Sequence, residues 1–344
     1  MREYLLTILV TTAVTYLLVP VAARLAAWVG AIPPLRDRDV HTQPVPRLGG
    51  IAMLGGLLAG ALLASHLPRM RAVFEEFSDA GALLTAGIVI CLVGVVDDIW
   101  GLSALAKFAG QMLAGGVLVV MGVQLNYIQI AGVEAFVLDP TQGALLTVLL
   151  IVGTANAVNF VDGLDGLAVG VVGVGASAFF LYSYIVFHDA ETRLTVPTLF
   201  MALLMGMCAG FLPHNWHTAK IFMGDSGSML IGLLLMGGAI SVTGNAGVGQ
   251  AQQVTESNLL ATLLPLVLPL AILALPFTDM LLAIIRRARA GRSISTPDKQ
   301  HLHHRLLELG HSTGRAVFVM WAWAALVSFG VVIVALEGGW ATYG

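Results

Sequence analysis

The sequence predicts an all-α polytopic membrane protein with about ten transmembrane helices, a single domain over residues 1–344. Three observations lead there. Of the 344 residues 58% are hydrophobic and only 11% are charged, where a soluble domain is about one-quarter charged. Apolar windows close to the roughly 20 residues that cross a bilayer as a helix recur from one end of the chain to the other. Thirteen of the seventeen lysines and arginines fall in alternate connections between those windows, the asymmetry that marks cytoplasmic loops.

Taken in order, the first window, 3–28, is longer than a signal-peptide core. It runs into Arg24 and Trp28 without a small-x-small cleavage site, so it reads as a span. The second, 49–66, opens on the pair Gly49-Gly50. The third, 82–96, is short and ends at Asp97-Asp98, and the fourth, 103–122, carries Lys107 about one turn in. Segment 123–141 has alternating apolar residues and reads as a small hairpin on the outer side. The fifth span, 142–159, is also short and precedes Asp162 and Asp165; 166–187 and 196–213 follow. The eighth, 227–243, comes just after Asp225; 259–285 runs into Arg286, and 316–336 begins after Arg315.

Orientation follows from the basic residues. The connections 29–48, 97–102, 160–165, 214–226 and 286–315 are expected in the cytoplasm, with both termini outside it. A formal net charge of -3 leaves no global basic field, so nucleic acid is not expected as a partner. The two cysteines, Cys91 and Cys208, lie in apolar stretches and supply neither a disulfide framework nor a four-thiolate zinc site.

Carboxylates are costly at the centre of a membrane helix and gather at span ends or in wet clefts. Here Asp97 and Asp98 (VGVVDDIWGL), Asp162 and Asp165 (NAVNFVDGLDGLA) and Asp225 (FMGDSGS) all fall on the predicted cytoplasmic side. Each alone reads equally as a solubilising charge or a helix cap; together they read as one active-site cleft. With Asn156 and Asn159 they form an oxygen-rich set suited to magnesium, or manganese in its place, rather than zinc. Such an ion commonly accompanies phosphate chemistry. The segment Gly224–Ser228 then reads either as a phosphate site at a helix start or as an ordinary N-cap.

The longest cytoplasmic connection holds Arg286, Arg287 and Arg289, which report topology, and the cluster His301, His303, His304 and Arg305. Beside so many carboxylates, the histidines suit phosphate contacts or proton transfer better than zinc. The first cytoplasmic loop offers Arg38, His41 and Arg47 before the Gly-Gly pair. Lys107 either looks back towards Asp97-Asp98 or snorkels to the headgroups. Phe222 stands three residues before Asp225, where an aromatic ring suits stacking on a base. Asp279 reads as a partner for a basic group or as a polar interhelical contact.

In this order the motifs PVPRLGG, DDIWGL, NAVNFVDGLDGLA, FMGDSGS and GRSISTPDKQHLHHRL resemble those of the polyprenyl-phosphate N-acetylhexosamine-1-phosphate transferases, over nearly the whole chain. The PVPRLGG and HLHHRL forms resemble the UDP-N-acetylglucosamine branch, which initiates cell-surface polysaccharides such as lipopolysaccharide and teichoic acid. The resemblance implies magnesium-dependent transfer of a sugar-1-phosphate from a UDP-sugar to undecaprenyl phosphate or a similar lipid phosphate, with release of UMP. It implies a plasma-membrane enzyme with its active site on the cytoplasmic face, and a homodimer. By motif position it makes Asp225 and Asn159 metal ligands and sets Asp97 and Asp98 near the acceptor phosphate. Lys107 falls at the donor phosphates, and His303, His304 and Arg305 at the pyrophosphate. Asp165 and Phe222 fall at uracil. Asp162 is carried as a further catalytic residue, and His301, Arg47 and Asn156 as substrate contacts.

Two other readings remain at this level. The phospho-N-acetylmuramoyl-pentapeptide branch has three consecutive histidines and a different first loop. A multi-pass transporter of a phosphorylated solute would place polar groups near the bilayer midplane and often shows internal repeats; here the ionisable groups gather at one face.

Overall fold

The computed structural model describes residues 1–32, 44–75, 78–128, 136–187, 195–245, 259–272 and 312–340, with a few single positions between 274 and 289. The described chain is helical apart from one short hairpin. The helices are α1 (Arg2–Val29), α2 (Gly49–His66), α3 (Arg71–Glu75), α4 (Ser78–Trp100) and α5 (Ala104–Val120). After the hairpin come α6 (Pro140–Val161), α7 (Leu167–Phe187), α8 (Thr195–Asn215) and α9 (Gly224–Asn245). The last two are α10 (Leu259–Ile272) and α11 (Thr313–Trp340). Among the described residues eight helices are long and apolar enough to cross a membrane, and α5 is a ninth, shorter apolar helix. α10 covers the start of the expected span 259–285, the rest of which lies largely outside the described residues.

Two boundaries differ from the sequence reading. α4 extends to Trp100 and α6 reaches Val161, so Asp97 and Asp98 lie in the last turn of a helix rather than after it. A hydropathy window stops at the first charges, but the helix continues because those charges find partners across the bundle. The start of α6 is fixed locally: Asp139 accepts from the backbone N–H groups of Thr141 and Gln142, Gln142 returns a bond to Asp139, and Pro140 fills the first helical position. The expected outer hairpin is present as β1 (Tyr127–Ile128) and β2 (Phe136–Val137), antiparallel, with Tyr127 opposite Val137.

The bundle is organised around α9. An 18-residue stretch of it within Gly224–Thr243 is entirely buried, whereas the outermost helices α1 and α11 bury only 28% of theirs. α9 packs against α2, α4, α6, α8 and α10. Without a hydrophobic driving force between helices in lipid, close packing depends on small residues. On α1 the buried Thr7, Thr11 and Thr15 form one face; Thr11 and Thr15 press against Gly56 and Gly60 of α2 and Gly206 and Gly210 of α8. The same device operates at the start of α9, where Gly50 of α2 and Gly94 of α4 lie directly on the Ser226 backbone. Exposed Leu9, Leu17, Leu62, Leu145 and Leu326 face outward to lipid. Cys91 and Cys208 are buried free thiols.

Candidate active site

The first turn of α9 forms the floor of the site, and Asp98 of α4 fixes it. One Asp98 carboxylate oxygen accepts from the Asp225 N–H at 2.9 Å; the other accepts from the Ser226 N–H at 3.1 Å and the Ser226 hydroxyl at 2.7 Å. A carboxylate is therefore already seated at the positive end of the α9 dipole. Of the two sequence readings of Gly224–Ser228 this favours the capped helix start, since the amides of Asp225 and Ser226 are used within the protein. Gly224 makes the approach possible, since a Cβ there would lie on the Asp98 carboxylate, and its φ of 69° is in the left-handed region.

Asp97, adjacent in sequence, points elsewhere. One oxygen accepts from the Leu102 N–H at 2.6 Å, and the other faces the Lys107 ammonium at 3.3 Å. Lys107 also forms an ion pair with Asp225, so a single cation bridges two carboxylates from different helices. Asn159 of α6 completes the cluster, donating through Nδ2 to Asp225 Oδ1 at 2.5 Å and to the Ser228 hydroxyl at 2.9 Å. These side chains are mostly enclosed, with Asp97 13%, Lys107 18% and Asp225 19% exposed. Lys107 thus looks back to the acidic pair, the first of its two sequence readings.

Two backbone segments frame this centre. The stretch before α2 lies alongside the stretch before α9: Phe222 N–H donates to the Pro46 carbonyl, and Gly49 and Gly50 N–H donate to the Phe222 and Met223 carbonyls. The motifs containing Arg47 and Phe222 are thereby joined through the main chain. On the other side, Asn215 clamps the turn after α6, accepting from Gly166 N–H at 3.0 Å and donating to the Ile221 carbonyl at 3.0 Å. Asp165 is buried in that turn and accepts from the Ala219 N–H at 3.0 Å, with His217 Nδ1 3.9 Å away. Trp321 of α11 donates to the Gly166 carbonyl and packs on Trp216.

Asp162, the residue that ends α6, donates its backbone N–H to the Val158 carbonyl, and its carboxyl is pushed up to about 8. Burial contributes most and the Asp225 charge next; the Arg47 guanidinium opposes them. Asn156 does not face the Asp225 cluster: its amide pairs with Gln111 of α5 and with the Val152 carbonyl. His301, His303, His304 and Arg305, with His41 and Asp279, lie outside the described residues.

Four of the five sequence motifs therefore meet at one end of α9. Sequence reasoning missed Asn215 and Gln111 as partners within the site. Gln111 was visible as a lone amide within an apolar helix; Asn215 carried no signal beyond its place at a span end.

As a divalent-ion site the donor set fits magnesium. Among the described residues no three His, Cys, Asp or Glu side chains form a ready cage. Magnesium does not require one, because it keeps several waters and takes one or two carboxylates plus substrate phosphate oxygens. Asp225 and Asp97 would supply the carboxylates, and Asn159, whose amide nitrogen faces Asp225 Oδ1, stands next to them.

The profile described as glycosyl transferase family 4 matches residues 80–243. Decaprenyl-phosphate N-acetylglucosaminephosphotransferase of Mycobacterium leprae is 47% identical over 334 residues, covering 96% of this chain and 83% of that protein. The Bacillus subtilis protein named probable undecaprenyl-phosphate N-acetylglucosaminyl 1-phosphate transferase is 32% identical, covering 96% and 82%. Phospho-N-acetylmuramoyl-pentapeptide-transferase of Mycobacterium bovis is 29% identical over 380 residues, covering 99% and 98%.

Proposed function

The chain belongs to glycosyl transferase family 4, and on that premise we propose that the cluster at the start of α9 transfers N-acetylglucosamine-1-phosphate to a polyprenyl phosphate. The donor is UDP-N-acetylglucosamine. The N-acetylglucosamine reading is favoured over the muramoyl-pentapeptide one by the higher identity to proteins of the former name. A transporter reading loses its ground with the family membership.

One observation carries the assignment of the centre: Lys107 bridges Asp97 and Asp225 while Asn159 holds Asp225 from the opposite side. In the reaction an oxygen of the lipid phosphate forms a bond to the phosphorus bearing the sugar. The bond from that phosphorus to the bridging oxygen breaks, and UMP departs with the electron pair. The acceptor phosphate is already ionised at neutral pH, so the main tasks are to bring two anions together and to neutralise charge. Lys107 supplies a fixed positive charge for the donor phosphates. Asp97 orients the acceptor or takes its residual proton. Asp225 and Asn159 would hold magnesium, which supplies charge neutralisation on the pyrophosphate when bound.

Asp165 and Phe222 line the uracil end, with Arg47 beside them, and His301, His303, His304 and Arg305 serve the pyrophosphate. Asp98 acts through Asp225 by holding the α9 terminus. The distribution of basic residues supports a cytoplasmic position for this face of the bundle, with both termini outside it. The test is UMP release by the detergent-purified protein with undecaprenyl phosphate, magnesium and a panel of UDP-sugars. Release that requires lipid and metal and prefers UDP-N-acetylglucosamine is expected; equal release without lipid, or in EDTA, would refute it.

A further inference from the structure

Beneath the reaction centre lies a second polar layer. In the upper layer Lys107 of α5 and Asn159 of α6 converge on Asp225 of α9. One helical turn deeper, Gln111 of α5 meets both Asn156 of α6 and Met229 of α9. Each helix contributes one residue to each layer, four positions apart on α5 and α9 and three on α6.

The lower layer is held by a reciprocal amide pair. Asn156 Nδ2 donates to Gln111 Oε1 at 2.7 Å, and Gln111 Nε2 donates to Asn156 Oδ1 at 3.4 Å and to Met229 Sδ at 3.1 Å. Asn156 is further tied to its own helix through the Val152 carbonyl at 2.8 Å. Gln111 is 1% exposed, so no substrate reaches it. A buried amide is costly unless its donors and acceptor are met, and these two meet each other in only one axial register. A slip of one residue along α5, about 1.5 Å, would break the pair and carry the Lys107 ammonium away from Asp225. An apolar contact of the same volume would tolerate the slip.

We propose that the Gln111–Asn156 pair is a register lock for the reaction centre, Gln111 being the positioning residue for Lys107 and Asn156 that for Asn159. The proposal rests on the transferase reading for its kinetic consequence, but its geometric consequence stands apart. The test uses the full-length chain as Gln111→Leu, Asn156→Leu and the double variant, with two readouts. The first is UMP release with kcat and donor KM. The second, on ligand-free protein, is amine labelling of Lys107 read by mass spectrometry, with the exposed Lys220 as internal reference.

Each single variant is expected to lower kcat about 10-fold or more while donor KM stays within about threefold, because geometry rather than ground-state binding is lost. Labelling of Lys107 relative to Lys220 is expected to rise. The double variant leaves neither amide unpaired, which relieves the folding penalty, yet it is expected to keep the low kcat and the exposed Lys107. Wild-type kcat and labelling in a single variant would overturn the lock, as would recovery of both in the double. If the wild-type protein releases no UMP at all, the transferase reading fails, and the labelling of Lys107 still decides the lock.

Discussion

A single carboxylate oxygen of Asp98 accepts both the backbone N–H and the hydroxyl of Ser226, at 3.1 and 2.7 Å. Its neighbour Asp97 turns to Lys107 instead. Two adjacent aspartates on one helix therefore face different tasks, one toward the terminus of α9 and one toward the reaction centre.

Asp98→Ala is expected to destabilise the protein by about 1–3 kcal/mol, since it leaves buried donors unpaired, and to lower activity through the displaced Asp225. Asp97→Asn is expected to retain the wild-type thermal midpoint within a few degrees while abolishing most turnover. Differential scanning fluorimetry in detergent alongside UMP release separates the two. Equal thermal loss in both variants would remove the distinction.

Removing the ammonium in Lys107→Met is expected to reduce kcat by about 100-fold or more, the scale seen when a preorganised charge-stabilising donor is lost. It also leaves the Asp97 and Asp225 carboxylates without the cation that bridges them. Added magnesium chloride should then raise the thermal midpoint of Lys107→Met more than that of the wild type, because a ligand that binds only the folded state stabilises it. Identical magnesium shifts in both proteins would argue against a divalent ion at this position.

Burial in the folded protein pushes the Asp162 carboxyl, normally near 4 in an unfolded chain, up to about 8. Between those values the folded state holds a proton that the unfolded state releases. The resulting stabilisation is fully present below about pH 4 and is lost as the pH rises through about 8. In EDTA, the thermal midpoint of Asp162→Asn should therefore fall less from pH 5 to pH 9 than that of the wild type. Parallel pH profiles would show that Asp162 titrates as an ordinary carboxylate.

Gly94→Ala places a methyl group on the Ser226 backbone, whereas Gly116 of α5 has open space around the corresponding position. Overpacking at Gly94 is expected to cost about 1–3 kcal/mol and to lower activity with it. Gly116→Ala is expected to be neutral or stabilising by up to about 1 kcal/mol with activity unchanged. Thermal midpoints and UMP release on the pair check both statements.

Much of this arrangement was legible in the sequence. The spans follow from hydropathy alone, and the acidic motifs converge because one-sided placement of Asp97, Asp162 and Asp225 already put them at one end of the bundle. The difference between Asp97 and Asp98 was not legible. Neighbouring side chains on a helix diverge by about 100°, and which direction leads to α9 is decided by packing. The pairing of Gln111 with Asn156 likewise depends on how α5 and α6 are set against each other, which no local pattern encodes. Nor does hydropathy single out α9, which is less apolar than the lipid-facing α11 although it is the more buried. In a membrane bundle the most central helix need not be the most apolar, because its surroundings are protein.

The position of α9 also sets an order of biogenesis. Lys107 and Asp225 are 118 residues apart in the chain, and α2, α4, α6 and α8 all precede the helix they surround. A ribosome-bound chain that has inserted only through α8 thus carries an open slot along its axis, with Asp97 and Lys107 able to neutralise each other until the ninth helix is threaded in. The cluster around Asp225 is completed only with the ninth helix in place, and a chain stopped before Gly224 lacks Asp225, Ser226 and Ser228.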